Sequence, residues 1–166
     1  MPKTMNALHM SNTRAYEVQR TNNFEVQIVD VGGDDLTFAV TSSGLPNESN
    51  DAIELAYGNT KVKVAGAYTV DDITIEVRDF IGADIESIVR NWRRQVFNEN
   101  TGGVGFADQY KKRGYIYLYS PEGSITRTWE LEGIWPQSVT WGDLAYDGSD
   151  QRRISMNLAV DWATIR

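Results

Sequence analysis

Apolar and polar residues alternate along most of this chain, which is the signature of strands with one face on a core. Phe24, Val26 and Ile28 alternate with Glu25 and Gln27. A first strand is therefore predicted over 24–31, and Gly32-Gly33-Asp34-Asp35 is read as a hairpin turn because its residues accept positive φ. Leu36, Phe38 and Val40 then share one face of a predicted return strand over 36–41. A polar stretch, 42–51, reads as a loop. Two further strands, 52–57 and 61–65, flank the tight-turn pair Gly58-Asn59. The section 43–66 is thus expected to be a loop followed by a projecting hairpin.

Ile73, Ile75 and Val77 alternate with Thr74, Glu76 and Arg78. The period then changes. Ile85, Ile88, Val89, Trp92 and Val96 fall on one helical stripe, and Glu86 and Arg90 form an i,i+4 pair. A helix is predicted over about 81–97, with Asp79 as N-cap and Thr101-Gly102-Gly103 as its stop. Beyond a Gly/Asn/Lys-rich loop at 98–113, Tyr115, Tyr117 and Tyr119 share one face of a strand, with Ile116 and Leu118 on the other. Ser120-Pro121-Glu122-Gly123 makes a turn. Ile125, Arg127, Trp129 and Leu131 line the return strand. A shorter strand follows around 138–141, and 146–150 is a polar turn. Ile154, Met156, Leu158, Val160 and Trp162 make five consecutive inward positions of a last strand.

These elements predict a mostly β fold: two packed antiparallel sheets, as a sandwich or barrel, with one flanking α-helix. Residues 1–22 read as an N-terminal arm and 23–166 as a single domain.

Composition narrows the function. With 41% hydrophobic and 23% charged residues the chain is an ordinary globular protein, and no stretch approaches the ~20 apolar residues of a membrane span. The start, Met1 to Leu8, does not read as a secretory signal. Cysteine is absent, which excludes disulfides and thiolate metal sites. The one histidine, His9, sits in a polar stretch, so a histidine metal cluster or triad cannot be built within one chain. The net charge of −7 argues against a surface that grips nucleic acid and suits one that repels it.

Candidate chemistry is sparse. Asp34-Asp35 and Asp71-Asp72 are the adjacent carboxylate pairs, but neighbouring strand residues point to opposite faces, so both read as solvated turns rather than a glycosidase pair. Asp143, Asp147 and Asp150 lack EF-hand spacing. Gly102-Gly103-Val104-Gly105 lacks the strand before it and the Lys-Ser/Thr after it that a phosphate loop needs. Five tryptophans and eight tyrosines leave open a sugar-stacking platform, against which stands their placement on core-facing stripes or at an inter-subunit contact. No catalytic, cofactor or metal site is expected.

Three blocks carry a resemblance. The segment Gly66 to Val77 (GAYTVDDITIEV), the segment Thr126 to Pro136 ending in Gly-Ile-Trp-Pro, and the closing Ile154 to Trp162 resemble, in order and spacing over roughly 20–165, the tail tube proteins of T-even-type contractile bacteriophages. The fold is shared by pyocin tubes, type VI secretion tubes and tube-initiating baseplate proteins. The resemblance implies a non-enzymatic virion protein, assembled in the host cytoplasm. It implies hexameric rings, joined edge to edge and stacked into a tube within a contractile sheath. Partners would be the sheath, the baseplate and tail-terminator proteins at the ends, and genomic DNA passing through the lumen without specific binding. By the same analogy, Ser43, Leu45, Glu48, Asp51, Tyr57, Asn59, Lys61 and Lys63 would form the contact between rings.

Overall fold

The computed structural model describes residues 17–166; His9 and residues 1–16 of the expected arm lie outside the described residues. The described chain runs β1 (Phe24–Ile28), α1 (Gly33–Ala39), β2 (Val40–Ser43), β3 (Glu48–Tyr57), β4 (Thr60–Val70), β5 (Ile73–Arg78), α2 (Ile85–Val96), β6 (Phe97–Asn98), β7 (Gly103–Val104), α3 (Ala107–Tyr110), β8 (Lys112–Tyr119), β9 (Ile125–Thr140), β10 (Arg153–Ala159) and β11 (Trp162–Ile165). It is mostly β. A seven-stranded antiparallel sheet has the order β1-β8-β9-β10-β5-β2, with β11 paired to β9, and β3-β4 and β6-β7 form two small sheets. The path of the main sheet ends at β1 and at β2, so it does not close.

The first hairpin expected from the sequence is replaced by a helix. Asp30, Gly32 and Gly33 all take positive φ, which turns the chain out of β1 and into α1. Asp34 and Asp35 lie in the first turn of α1, where carboxylates suit the positive end of the helix dipole. Leu36 and Ala39, three apart, are buried, and Phe38 is exposed. A spacing of three therefore governs here, not the alternation of Leu36, Phe38 and Val40. β2 pairs with β5 instead of returning along β1. At Gly32 a side chain is excluded twice, by φ +62° and by Ile88 of α2, whose Cγ2 would lie 2.6 Å from a Cβ.

Helix α2 buries Ile85, Val89, Trp92 and Val96 against the core, each contributing about 1.5–3 kcal/mol of hydrophobic burial. Its N-cap is Asp84 rather than Asp79. Asp84 takes φ +47° and accepts hydrogen bonds from Ser87, from the backbone N–H at 3.3 Å and from Oγ at 2.7 Å. The helix gives way at Phe97 to β6, before Thr101-Gly102-Gly103. Trp92 Nε1 donates to the Tyr110 carbonyl at 2.9 Å and so fastens α3 to α2.

Strand β9 is continuous where two strands were expected. Up to Ile134 it pairs with β8, and over Trp129 to Glu132 with β11; from Trp135 onward it pairs with β10. The change of partner falls on Gly133-Ile134-Trp135-Pro136. Gly133 (φ +68°) lies at a shift in the β8 register, and Pro136 lies beside a second shift opposite Asn157 and Leu158. Proline is tolerated there because a bulge does not require its missing N–H.

The last strand is also divided. Ile154, Met156, Leu158 and Val160 are buried as predicted, but the chain turns at Asp161 and Trp162 comes out 53% exposed on β11. It packs on Tyr68, with ring centroids 4.9 Å apart.

Candidate assembly interface

The β3–β4 hairpin stands off the core. Every residue of β3 is exposed, as is β4 from Thr60 to Ala65. Cross-strand pairs share a face, and the register sets Ile53 opposite Val64 and Leu55 opposite Val62. Together with Tyr57 they form a stripe of five apolar side chains, each 42–79% exposed. The other face carries Glu54, with Lys61 at 2.9 Å and Lys63 at 3.8 Å. A two-stranded hairpin wet on both faces is marginal alone in water, so such a stripe is a candidate surface for association.

A bulge marks the root of the hairpin. Asn50 pairs with Tyr68 and Ala52 with Ala65, so Gly66 and Ala67 together oppose Asp51. A Cβ on Gly66 would meet the Asp51 carbonyl oxygen at 3.0 Å and Ile53 Cγ1 at 3.1 Å, which explains a glycine in a position without positive φ. Beneath the bulge the hairpin is anchored by Tyr68 against Trp162. Burial, followed by the Glu48 carboxylate, raises the Tyr68 phenol above its ordinary value.

Of the residues nominated from the sequence, Glu48, Asp51, Tyr57, Lys61 and Lys63 lie on the hairpin strands and Asn59 in its turn. They do not share a face: Tyr57 is on the apolar stripe, and Lys61 and Lys63 are on the charged side. Ser43 and Leu45 lie apart from the hairpin tip. They line a cavity of about 230 Å³ with Thr21, Phe24, Ile116 and Leu118. Ile53, Leu55, Val62 and Val64 were not nominated, although the alternation Ile53-Leu55-Tyr57 against Lys61-Val62-Lys63-Val64 carried the signal.

A second surface is the polar face of the strands β1, β8, β9 and β11. Tyr115 and Tyr117 stack at 5.9 Å, and the Tyr119 hydroxyl donates to Glu25 Oε2 at 3.0 Å. Burial chiefly raises the phenols of Tyr117 and Tyr119, with nearby carboxylates adding to it. Glu130 faces Arg166 at 3.0 Å, and Glu132 faces Arg113 at 3.5 Å. Among the described residues the strands at the two margins of this face, β1 and β11, each have one unpaired edge.

The remaining candidates separate in the fold. Asp34 and Asp35 sit in the first turn of α1, and Asp72 accepts from Asn157 Nδ2 at 3.4 Å. The tryptophans make no common platform: Trp92 is buried, Trp129, Trp135 and Trp141 are half-buried, and Trp162 is covered on one side by Tyr68.

A family described as "T4-like virus tail tube protein gp19" matches residues 20–162. The tail tube protein gp19 of Enterobacteria phage T4 is 30% identical over 158 residues, covering 90% of this chain and 95% of that protein. Among solved structures, a chain of the sheath-tube complex of an extracellular contractile injection system (PVC, extended state) superposes with a TM-score of 0.72 at 18% identity, over 98% of this chain and 99% of that one. Hcp1 from Flavobacterium johnsoniae is more distant, with a TM-score of 0.51 at 6% identity over 86% of this chain and 93% of its own. At these identities the two structures speak for the fold alone.

Proposed function

This chain belongs to the T4-like virus tail tube protein gp19 family, a structural component of the contractile phage tail and not an enzyme, and on that premise we propose how it builds the tube. Copies join edge to edge into hexameric rings, and the rings stack into the conduit through which DNA is ejected inside a contractile sheath. The unit that does this is a domain over 23–166, with 1–22 as an arm. Its β-strands form two packed layers that meet at the β9 corner. In support, Val26, Ile116, Leu131 and Ala163 from one end of the strand order share one buried cluster with Ile75, Val77, Ile154 and Met156 from the other.

Within a ring, the unpaired edge of β1 meets that of β11 on the next copy, since a head-to-tail contact needs two different surfaces. The polar tyrosine–carboxylate face then lines the bore, where its acidic groups keep the DNA from sticking. Between rings, the β3–β4 hairpin and the nominated residues from Ser43 to Lys63 make the contact. Sheath, baseplate and terminator proteins are the further partners.

The observation that carries this reading is the hairpin, with its five exposed apolar side chains and no cover from the described residues. Negative-stain microscopy of the purified protein tests it. Rings or tubes are expected; monomers alone across a wide range of concentration and salt would refute it. A ring structure with a net-basic bore would overturn the proposed role of the tyrosine face. The PVC neighbour shares the fold, which leaves a phage-derived injection system as the second setting for the same tube.

A further inference from the structure

The described residues cover neither the tip of the hairpin nor the cavity beside Leu45, and the two cannot complete one another within a copy. From Glu48 to Tyr57 the strand extends about 30 Å at ~3.3 Å per residue, so the tip stands far from Leu45, which lies just before the root. At the tip, Tyr57 is 79% exposed and lies next to the Gly58-Asn59 turn. The cavity has a mixed lining. Phe24, Leu45, Ile116 and Leu118 line it together with the polar side chains of Gln19, Arg20, Thr21 and Ser43. Its volume of about 230 Å³ is below the ~300 Å³ at which small-molecule sites begin, yet it has room for one aromatic ring. A buried tyrosine also needs a partner for its hydroxyl, which the polar lining side chains offer.

We propose that Tyr57 of one copy seats in the Leu45 cavity of another copy. This rests on the tube reading and deepens it, because it gives the hairpin a specific acceptor. A contact between two different patches of the same chain is head-to-tail, and when the rotation does not close it propagates along an axis. It would bring Ser43 and Leu45 of one copy together with Tyr57 and Asn59 of another, which do not touch within one chain.

The chain contains no cysteine, so engineered thiols are the only ones present. The double variant Thr21→Cys/Asn59→Cys places one thiol in the cavity lining and one beside the tip and leaves Tyr57 and Leu45 intact. Mild oxidation of assembled protein is expected to give a ladder of disulfide-linked multimers on a non-reducing gel, whereas each single variant stops at dimers. In parallel, Tyr57→Ala is expected to raise the protein concentration needed for tubes by about tenfold or more, as loss of an aromatic anchor does, and Tyr57→Phe to raise it much less. Tubes that form normally in the double variant but give no ladder overturn the pairing and leave the tube reading standing. Wild-type protein that forms neither rings nor tubes overturns both.

Discussion

The carboxylate side chain of Asp161 lies directly over the Cα of Gly133. A Cβ at position 133 would stand 2.9 Å from the Asp161 Cβ and closer still to its carboxylate. The Asp161 backbone N–H donates to the Glu132 carbonyl at 3.1 Å, and Lys111 pairs with the Asp161 carboxylate. Two of the sequence blocks that carry the family resemblance therefore meet at one point, where β9 changes partner.

Substitution at that point is expected to be costly. Gly133→Ala forces a side chain into both a left-handed backbone and an occupied space, for about 2–4 kcal/mol in all. Gly123 has φ +86° with nothing near the place of a Cβ, so Gly123→Ala should lose only about 1–2 kcal/mol. Urea denaturation of the two variants checks this, and equal losses would remove the role assigned to Asp161.

The hairpin stripe predicts a variant that folds but does not assemble. Ile53→Glu/Val62→Glu changes two exposed positions on one face, so the unfolding midpoint should barely move, since surface changes fall within about 0.5 kcal/mol. Rings and tubes should be lost. Circular dichroism and sedimentation velocity on one preparation separate the two effects.

Arg152 fastens the end of β5 to α2. Its guanidinium donates to Asp79 at 2.8 Å and to Glu86 at 2.6 Å, and Arg90 also reaches Glu86. The hydrogen bond from Arg152, then that from Arg90, holds the Glu86 carboxyl below its ordinary value of 4.5. A depressed carboxylate contributes its stability above that value and loses it as pH falls through the folded pKa. The stability gap between wild type and Glu86→Gln should accordingly be constant near neutrality and shrink below pH 4.5. Thermal unfolding between pH 3 and 7 reads it.

At the alkaline end the tyrosine face takes over. Tyr117 and Tyr119 ionise above the ordinary value of 10.0, so the neutral phenols stabilise the fold below that pH and the contribution fades as pH rises further. Ultraviolet titration should show a late-ionising tyrosine fraction, reduced in Tyr119→Phe. A single wave at pH 10 would contradict it.

How legible all this was in the sequence depended on what each residue faces. Strands with one face on the core, such as Ile73-Ile75-Val77 and Ile154-Met156-Leu158, obey a strict period of two and were read correctly. So was the stripe of α2. The segment 32–41 misled because Leu36, Phe38 and Val40 mimic a strand, while the deciding feature, Gly32 packed under Ile88, is a contact between residues far apart in sequence. Trp162 misled for a related reason: one turn at Asp161 ends the alternation, and no local pattern announces it. The projecting hairpin was visible in its turn and polar flanks. Its apolar stripe was harder to see, because an exposed hydrophobic face has the same alternation as a buried one.

The unbroken course of β9 has a mechanical consequence. Because one covalent backbone crosses from the β8 side of the sheet to the β10 side, a shear applied to one side reaches the other through peptide bonds as well as through side-chain packing. A subunit built this way resists sliding apart between its β8 and β10 pairings when load is applied along the strand. The register shifts at Gly133 and Pro136 are then the places where that strut can give.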